Sequence, residues 1–366
     1  MSALPEFTLQ RPATPREAAA LLAAGARALA GGTDLLPNLR HGLERPTHLV
    51  DLSRVAGLDV IDLRDGTLTI GAGVTLARLA DDARVVQHLA ALAQAARAVA
   101  GPGHRSVATL GGNLCQDTRC VFYNQSEWWR ASNGWCLKLA PESGPMSRPP
   151  PRAPQEPLRG CGGSSSPAEP DLLERGGAIC HVAPQGRRCH AAFSGDVAPV
   201  LLAARAEVEI ATRDGTRRMP LDDLYRDDGA SHLTLAAGEF IAAVRIAAAT
   251  TQRRSGYRKA RVRGSMDFPL AGVGAVLSLR EGVIAEIGVG LSGTNSRPIA
   301  LQGLDAFVGH CVDDALLAAL GKRVQQQTSP MRSTATPSNY RRQVAAVLVQ
   351  RLLRELAAAP TTPPSP

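Results

Sequence analysis

The chain has 366 residues, 44% apolar and 20% charged, which is the balance of a soluble globular protein of about two or three domains. No segment approaches the roughly 20 uncharged apolar residues of a membrane-spanning helix, because arginines interrupt the Ala/Leu-rich stretches. The net charge of +8 does not indicate nucleic-acid binding, since basic residues are dispersed and only 4% of residues are aromatic. Residues 1–14 lack the pattern of an export signal, so we expect a reducing, cytoplasmic location.

Short strands, glycine turns and Ala-rich helices alternate along the first part of the chain. Thr14-Pro15-Arg16-Glu17 has the pattern of a capped helix start and predicts a helix that ends near Ala24. Apolar runs predict strands at 26–30, 47–52 and 68–70, and the spacing predicts one helix over 78–99. This alternation is typical of a mixed α and β domain.

The composition changes over residues 141–177, which are rich in Pro, Ser and Gly. Such a segment buries too little apolar surface to offset its conformational entropy, and we predict a disordered insertion there. Further strands are predicted at 238–248 and 283–290, and both are assigned to a second α+β domain that begins near Ala230.

Two loops place paired glycines after predicted strands. These loops are Gly31-Gly32-Thr33-Asp34 and Thr109-Leu110-Gly111-Gly112-Asn113. Without a Cβ atom, a glycine lets backbone amides approach a pyrophosphate closely. Either loop alone is more often a plain turn, and neither has the spacing of a dinucleotide fingerprint. Two such loops in one domain, each followed by a small polar residue, favour a pyrophosphate-containing cofactor.

The cysteines are concentrated in one region. Six of the seven fall between residues 115 and 189, namely Cys115, Cys120, Cys136, Cys161, Cys180 and Cys189. All three tryptophans also lie between the second and third of these. Thiolates surrounded by a dry aromatic shell are typical of an iron–sulfur cluster. A zinc site is less well supported because no C-x-x-C pair occurs. Buried cysteines beside a hydrophobic docking loop remain the alternative.

Four segments together resemble the FAD-binding medium subunit of the xanthine dehydrogenase (molybdenum hydroxylase) family. They are Gly31–Leu35, Ile70–Thr75, Ala108–Asn113 and Asp196–Pro199. The resemblance implies an α+β fold, with a two-subdomain FAD-binding domain of the vanillyl-alcohol-oxidase (PCMH) type over residues 1–228. A smaller α+β C-terminal domain of the CO dehydrogenase flavoprotein type follows over 229–358, and 359–366 form a tail.

The resemblance also implies which residues contact FAD. Those expected at the pyrophosphate and ribityl chain are Leu29, Ala30, Gly31, Gly32, Thr33, Asp34, Leu35, Thr109, Gly111, Gly112 and Asn113. Asp196 is expected to accept hydrogen bonds from ribityl hydroxyls. Lys259 matches a lysine near the flavin, where a cation stabilises anionic reduced flavin. From the residues alone, Lys259 is equally a solvated strand residue.

The cysteine region is similar to that of the 4-hydroxybenzoyl-CoA reductase β subunits within this family. The similar segments are 117–130, 136–138, 180–182 and 188–190. By this resemblance Cys120, Cys136, Cys180 and Cys189 bind one 4Fe–4S cluster in a loop over 115–190. Cys161 lies in the insertion without aromatic neighbours and is left out, and Cys115 is expected to be a buried thiol.

The implied function is electron transfer within a molybdenum-dependent 4-hydroxybenzoyl-CoA reductase. This subunit would pass electrons between ferredoxin and two-iron clusters, in a complex with a large molybdenum-pterin subunit and a small two-iron-cluster subunit. No catalytic residue is assigned, because the substrate reacts on the large subunit. The nearest alternative is the flavin subunit of another molybdenum hydroxylase that oxidises an aromatic or heterocyclic substrate. A non-enzymatic iron–sulfur sensor or nucleic-acid binder that has kept the fold is a rival from another class, and it predicts no bound flavin.

Overall fold

The computed structural model describes residues 4–139, 177, 179–183, 186–249, 253–264, 266–329, 336–337 and 339–359. The predicted insertion, apart from Gly177, lies outside the described residues, as do Cys161 and residues 360–366. The strands, in chain order, are β1 (Thr8–Gln10), β2 (Arg27–Leu29), β3 (His48–Asp51), β4 (Ile61–Arg64), β5 (Thr67–Gly71), β6 (Glu207–Thr212), β7 (Gly215–Pro220), β8 (Phe240–Ala247), β9 (Arg253–Ala260), β10 (Ala271–Arg280), β11 (Val283–Ser292) and β12 (Ile299–Ala300). The α-helices are α1 (Pro15–Ala23), α2 (Leu35–Arg40), α3 (Leu76–Asp81), α4 (Ala83–His88), α5 (Ala90–Ala98), α6 (Pro102–Arg105), α7 (Leu110–Leu114), α8 (Glu127–Ser132), α9 (Ala198–Ala203), α10 (Asp314–Gln327) and α11 (Tyr340–Ala358).

The chain begins with a small parallel sheet in the order β1-β3-β2. Helix α1 starts where the sequence predicts, because the Thr14 side chain accepts from the Glu17 N–H while the Glu17 carboxylate accepts from the Thr14 N–H. Ala18, Ala19 and Leu22 of this helix are buried in a small apolar core. The predicted strand at 26–30 is present as β2, and it leads directly into the first glycine loop.

A five-stranded antiparallel sheet, ordered β4-β5-β8-β6-β7, follows. Here the structure differs from the expectation for residues 238–248. They form β8, which pairs with β5 and β6 in the first domain instead of joining the second domain. In the register, Val244 lies opposite both Ile70 and Val208. Strands this far apart in sequence carry no local signal of their pairing, so the pattern alone did not reveal the partner sheet.

The helix predicted over 78–99 is also different in the structure, since it consists of α3, α4 and α5. The Asp82 carboxylate accepts from the N–H groups of Arg84 and Val85, which starts a new helix at that point. Leu89, with φ −153°, separates α4 from α5. The three short helices pack their apolar faces into the largest core, beneath the five-stranded sheet.

The last part of the chain forms a four-stranded antiparallel sheet, β12-β11-β10-β9, with α10 and α11 packed against it. Helix α9 of the first domain also contacts this sheet. Added Cβ atoms at Gly290 and Gly288 would overlap the carbonyl oxygens of Pro199 and Ala203. The glycines therefore allow α9 to lie directly on the backbone of β11, which joins the two domains.

No helix in the described part of the chain is long and apolar enough to cross a membrane.

The contact between α9 and β11 predicts how one added methyl group at Gly290 changes the stability of the protein. Gly290→Ala should lower the free energy of unfolding by about 1–3 kcal/mol, because α9 cannot retreat without disturbing its own core. Gly103→Ala is the control, since nothing lies within 4 Å of the added atom there. Denaturant unfolding measures both, and equal stability of the two variants would contradict the described contact.

Candidate functional site

A cleft of about 720 Å³ lies between the parallel sheet and the five-stranded sheet. Its volume is in the range of sites for large organic cofactors. Most of the predicted FAD contacts line it, namely Ala30, Gly31, Gly32, Thr33, Asp34, Leu35, Thr109, Gly111, Gly112, Asn113 and Asp196. Two predicted residues, Leu29 and Lys259, are not among the lining residues. The structure thus brings together residues that are up to about 160 positions apart in the sequence.

The first glycine loop connects β2 to α2 at the edge of this cleft. Gly32 has φ +69°, a left-handed conformation that favours glycine, and a Cβ at Gly31 would overlap the carbonyl of Val107. Among the described residues, no acceptor receives the backbone N–H of Gly31, Gly32, Thr33 or Asp34. Four consecutive free amides in a loop that lines a cleft are suited to phosphate oxygens. The loop therefore fits the pyrophosphate of a dinucleotide cofactor.

The second glycine loop is built differently from the prediction. Its glycines lie within the short helix α7, where the Thr109 hydroxyl caps the helix by accepting from the Gly112 N–H. The Gly111 N–H donates to the Ala72 carbonyl at 2.8 Å, and a Cβ at Gly111 would lie 2.8 Å from the Ala72 side chain. The amides of this loop are therefore used by the protein itself. The second glycine loop therefore forms a close-packed part of the cleft wall, whereas the first glycine loop supplies backbone N–H donors.

Asp196 and Lys259 form a buried pair beside the cleft. The Lys259 ammonium donates to Asp196 Oδ1 at 3.0 Å and to two backbone carbonyls, and both side chains are 5% exposed. The Tyr257 hydroxyl donates to the same carboxylate oxygen at 2.5 Å. Burial raises the pKa of Asp196, although Lys259 and Tyr257 oppose the shift. Lys259 is thus neither a solvated strand residue nor part of the cleft lining, and it holds Asp196 in the wall.

The sequence reasoning missed Arg119. Its guanidinium pairs with the Asp34 carboxylate and lies 4.8 Å from the centre of the Phe268 ring. All three side chains line the cleft. The partners are 85 positions apart in the chain, so no spacing rule could have found this pair.

A second, smaller pocket lies next to the cleft, and we call it the thiol pocket. It is lined by Cys120, Phe122, Tyr123, Cys136, Leu137, Lys138, Cys180, His181, Val182, Cys189 and Ala191. The four predicted ligands are all buried, and none is in a disulfide. The aromatic shell is only partly as expected, because Trp128 is 77% exposed while Phe122 stacks on His181 at 5.0 Å.

The thiols already engage in polar contacts. The N–H groups of Phe122 and Ala191 donate to the sulfurs of Cys120 and Cys189, each at 3.4 Å. A hydrogen bond with Cys189 lowers the pKa of Cys180, and the same bond together with burial raises the pKa of Cys189. Burial also raises the pKa of Cys120, so the pocket by itself favours a thiolate at Cys180 and neutral thiols at Cys120 and Cys189. Within the described ranges, no group of three or more His, Cys, Asp or Glu residues is arranged around a single metal ion.

The remaining cysteines are separate from this pocket. Cys115 lines the cleft, and burial raises the pKa of its thiol to about 12, so it stays protonated at neutral pH. Cys311 is exposed and lies in the second domain, near β11.

Comparison with known proteins agrees with this architecture. Residues 5–248 match the FAD-binding domain in molybdopterin dehydrogenase, and residues 255–356 match the CO dehydrogenase flavoprotein C-terminal domain. The chain is 33% identical over 324 residues to the aldehyde oxidoreductase FAD-binding subunit PaoB of Escherichia coli (strain K12), which covers 86% of this chain and 90% of that protein. The carbon monoxide dehydrogenase medium chain of Afipia carboxidovorans is 25% identical over 96% of this chain and 97% of its own.

A solved structure shows the same fold. Carbon monoxide dehydrogenase from Hydrogenophaga pseudoflava superposes with a TM-score of 0.73 at 20% identity, covering 97% of this chain and 99% of that one. The chain belongs to the FAD-binding subunits of the molybdenum hydroxylase family, which includes xanthine and carbon monoxide dehydrogenases. The expected family and fold are confirmed, and so is FAD as the cofactor of the first domain. The two glycine loops, and the free backbone amides of the first one, fit that cofactor.

The cleft predicts how FAD retention depends on one glycine. Gly112→Val should weaken FAD binding at least about tenfold, because Gly112 lines the cleft and its added Cβ would lie only 3.0 Å from the Thr109 hydroxyl, another lining residue. Gly103→Val is the matched control, since Gly103 also lies in a short helix but is not a lining residue of the cleft, and nothing lies within 4 Å of its added Cβ. FAD per chain after gel filtration measures the effect. Full FAD in the Gly112 variant would contradict this placement of the cofactor.

Proposed function

We propose that this chain is an electron-transfer subunit that holds FAD in the cleft and one 4Fe–4S cluster in the thiol pocket, within a molybdenum hydroxylase complex. The observation that carries the proposal is the meeting of four buried cysteines from separate segments in one pocket that adjoins the cleft. Arg119 lines the cleft and its neighbour Cys120 lines the pocket, so the two sites share a wall.

The donor set favours a cluster over a single ion. Four cysteine thiolates are the usual ligands of a 4Fe–4S cluster, and each binds a different iron. The N–H donors to Cys120 and Cys189 are the kind of contacts that stabilise cluster thiolates. When bound, the cluster would supply one-electron transfer.

The FAD placement rests on the two loops. The free amides of Gly31–Asp34 would hold the pyrophosphate, and Asp196 would accept from ribityl hydroxyls. Arg119 and Asp34 would fix the cleft wall that faces the thiol pocket. A flavin exchanges one or two electrons and a cluster passes one, so this pairing suits a one-electron carrier such as ferredoxin on the outside.

The relatives are subunits of oxidoreductases, and a large molybdenum-pterin subunit and a small two-iron-cluster subunit are the proposed partners. The substrate is the less supported part of the proposal. The 4-hydroxybenzoyl-CoA reductase role stays a prediction from the cysteine region. Similarity to an aldehyde oxidoreductase subunit over most of the chain fits the alternative, oxidation of another substrate, at least as well. Turnover of the purified complex with 4-hydroxybenzoyl-CoA and a low-potential reductant, or with aromatic aldehydes and an oxidant, separates the two.

The proposed cluster predicts that iron can be removed from the chain without loss of FAD. Anaerobically purified chain should hold about four irons and about one FAD. Cys136→Ser or Cys180→Ser should lose most of the iron, because a hydroxyl is a much poorer iron ligand than a thiolate, yet keep FAD. Cys311→Ser is the matched control, because its thiol is exposed and outside both sites. Iron and flavin are measured on the same samples.

Two results would count against the proposal. Wild-type chain that contains flavin but no iron would remove the cluster and leave the family assignment intact. Equal iron in the Cys136 and Cys311 variants would show that the metal is bound somewhere other than the thiol pocket.

A further inference from the structure

Lys138 places a buried positive charge in the wall of the thiol pocket. Its side chain is 6% exposed, and it is the one formally charged side chain, besides the titratable His181, among the described residues that line the pocket. Burial of an ammonium group is costly unless negative charge or strong acceptors compensate for it. A methionine would fill similar space without this cost, so the charge calls for an explanation.

The ammonium group is held in a fixed position. Nζ donates to Asp117 Oδ1 at 2.6 Å, to Thr118 Oγ1 at 2.6 Å and to the Thr118 carbonyl at 3.1 Å. It also lies 4.2 Å from the centre of the Tyr123 ring, which itself lines the pocket. All three N–H donors are therefore used, and the positive charge also acts on the thiol pocket, where it opposes the burial that raises the pKa of Cys189.

Asp117 is the counter-ion of Lys138, and it is also bound to the backbone around it. Its Oδ1 also accepts from the Thr118 N–H at 2.9 Å, and its own N–H donates to Asp34 at 3.0 Å. The carboxylate is thus oriented by the backbone and holds the lysine in place from outside the pocket, because Asp117 is not a lining residue. Lys138 therefore lines the pocket together with the four cysteines, whereas its counter-ion does not.

We propose that Lys138 sets the reduction potential of the cluster by stabilising its reduced form. The inference rests on the proposed function, since it needs the cluster in the thiol pocket. Reduction adds one negative charge to a group that already carries four thiolates, and a nearby fixed cation in a poorly solvated site favours that added charge. Lys138 is a positioning and potential-setting residue, and it ligates no iron.

The experiment compares four variants of the full chain with wild type, using iron content and a potentiometric titration followed by electron paramagnetic resonance. Lys138→Met should keep iron but make the cluster harder to reduce, by about tenfold or more in the reduction equilibrium. Lys138→Arg should behave like wild type. Asp117→Asn should shift the equilibrium in the opposite direction, because it removes the counter-charge and keeps the lysine. Arg45→Met is the control, since this cation is 48% exposed and screened by water.

The outcomes separate the two proposals. Wild-type chain without iron contradicts the proposed cluster, whereas iron-loaded variants with unchanged potentials contradict only the role of Lys138. Equal shifts in the Met and Arg variants would mean that packing matters and charge does not, which also overturns the inference. If Lys138→Met fails to retain iron, the test of Lys138 depends on the Asp117→Asn variant. An unchanged or lower reduction potential in Asp117→Asn would then contradict the proposed role of Lys138.

Discussion

Asp34 and Arg119 form an ion pair between the first glycine loop and the segment that carries the cysteines, and both candidate sites are organised around it. Asp34 stands at the N-terminus of α2 but makes no capping bond with its side chain. Its two carboxylate oxygens instead accept from Arg119 and from the backbone of Asp117. One carboxylate therefore ties the cleft wall to two of the three residues that precede Cys120. Loss of this contact would disturb the cleft and the thiol pocket together.

The same segment is held from its other end. Arg119 and Ala192 exchange two backbone hydrogen bonds at 2.7 Å, three positions beyond Cys189. The entry and the exit of the cysteine region are thus clamped side by side, whatever lies between them. Loop-closure entropy grows only slowly with loop length, so a clamp of this kind tolerates a long insertion between Cys136 and Cys180. This explains how the thiols meet although their sequence separations differ widely.

The sequence was most informative where chemistry needs particular residue types. Paired glycines pointed to the cleft, because few other residues allow close backbone approach, and the clustered cysteines pointed to the pocket that four of their buried side chains line. The capping signal at Thr14 predicted α1 because it depends only on neighbouring residues. The apolar pattern over 78–99 predicts one helix, whereas Asp82 interrupts it by capping the start of α4.

The features that the sequence did not predict depend on contacts between residues that are far apart in the chain. The pairing of β8 with β5 and β6 links residues about 175 and 35 positions apart, and local patterns contain no information on such partners. Likewise, Lys259 faces Asp196 because β9 brings the second domain against the cleft wall. Arg119 and Lys138 gain their significance only from what surrounds them in the fold. Their charges were visible in the sequence, but their burial was not.

The central claim is that a flavin cleft and a cluster pocket share one wall in this subunit. The most direct test is an anomalous difference map, at the iron absorption edge, from crystals of the anaerobically purified chain or its complex. The account predicts iron density among the sulfurs of Cys120, Cys136, Cys180 and Cys189, with FAD in the cleft on the other side of Arg119. An iron-free thiol pocket in crystals that contain FAD would contradict it.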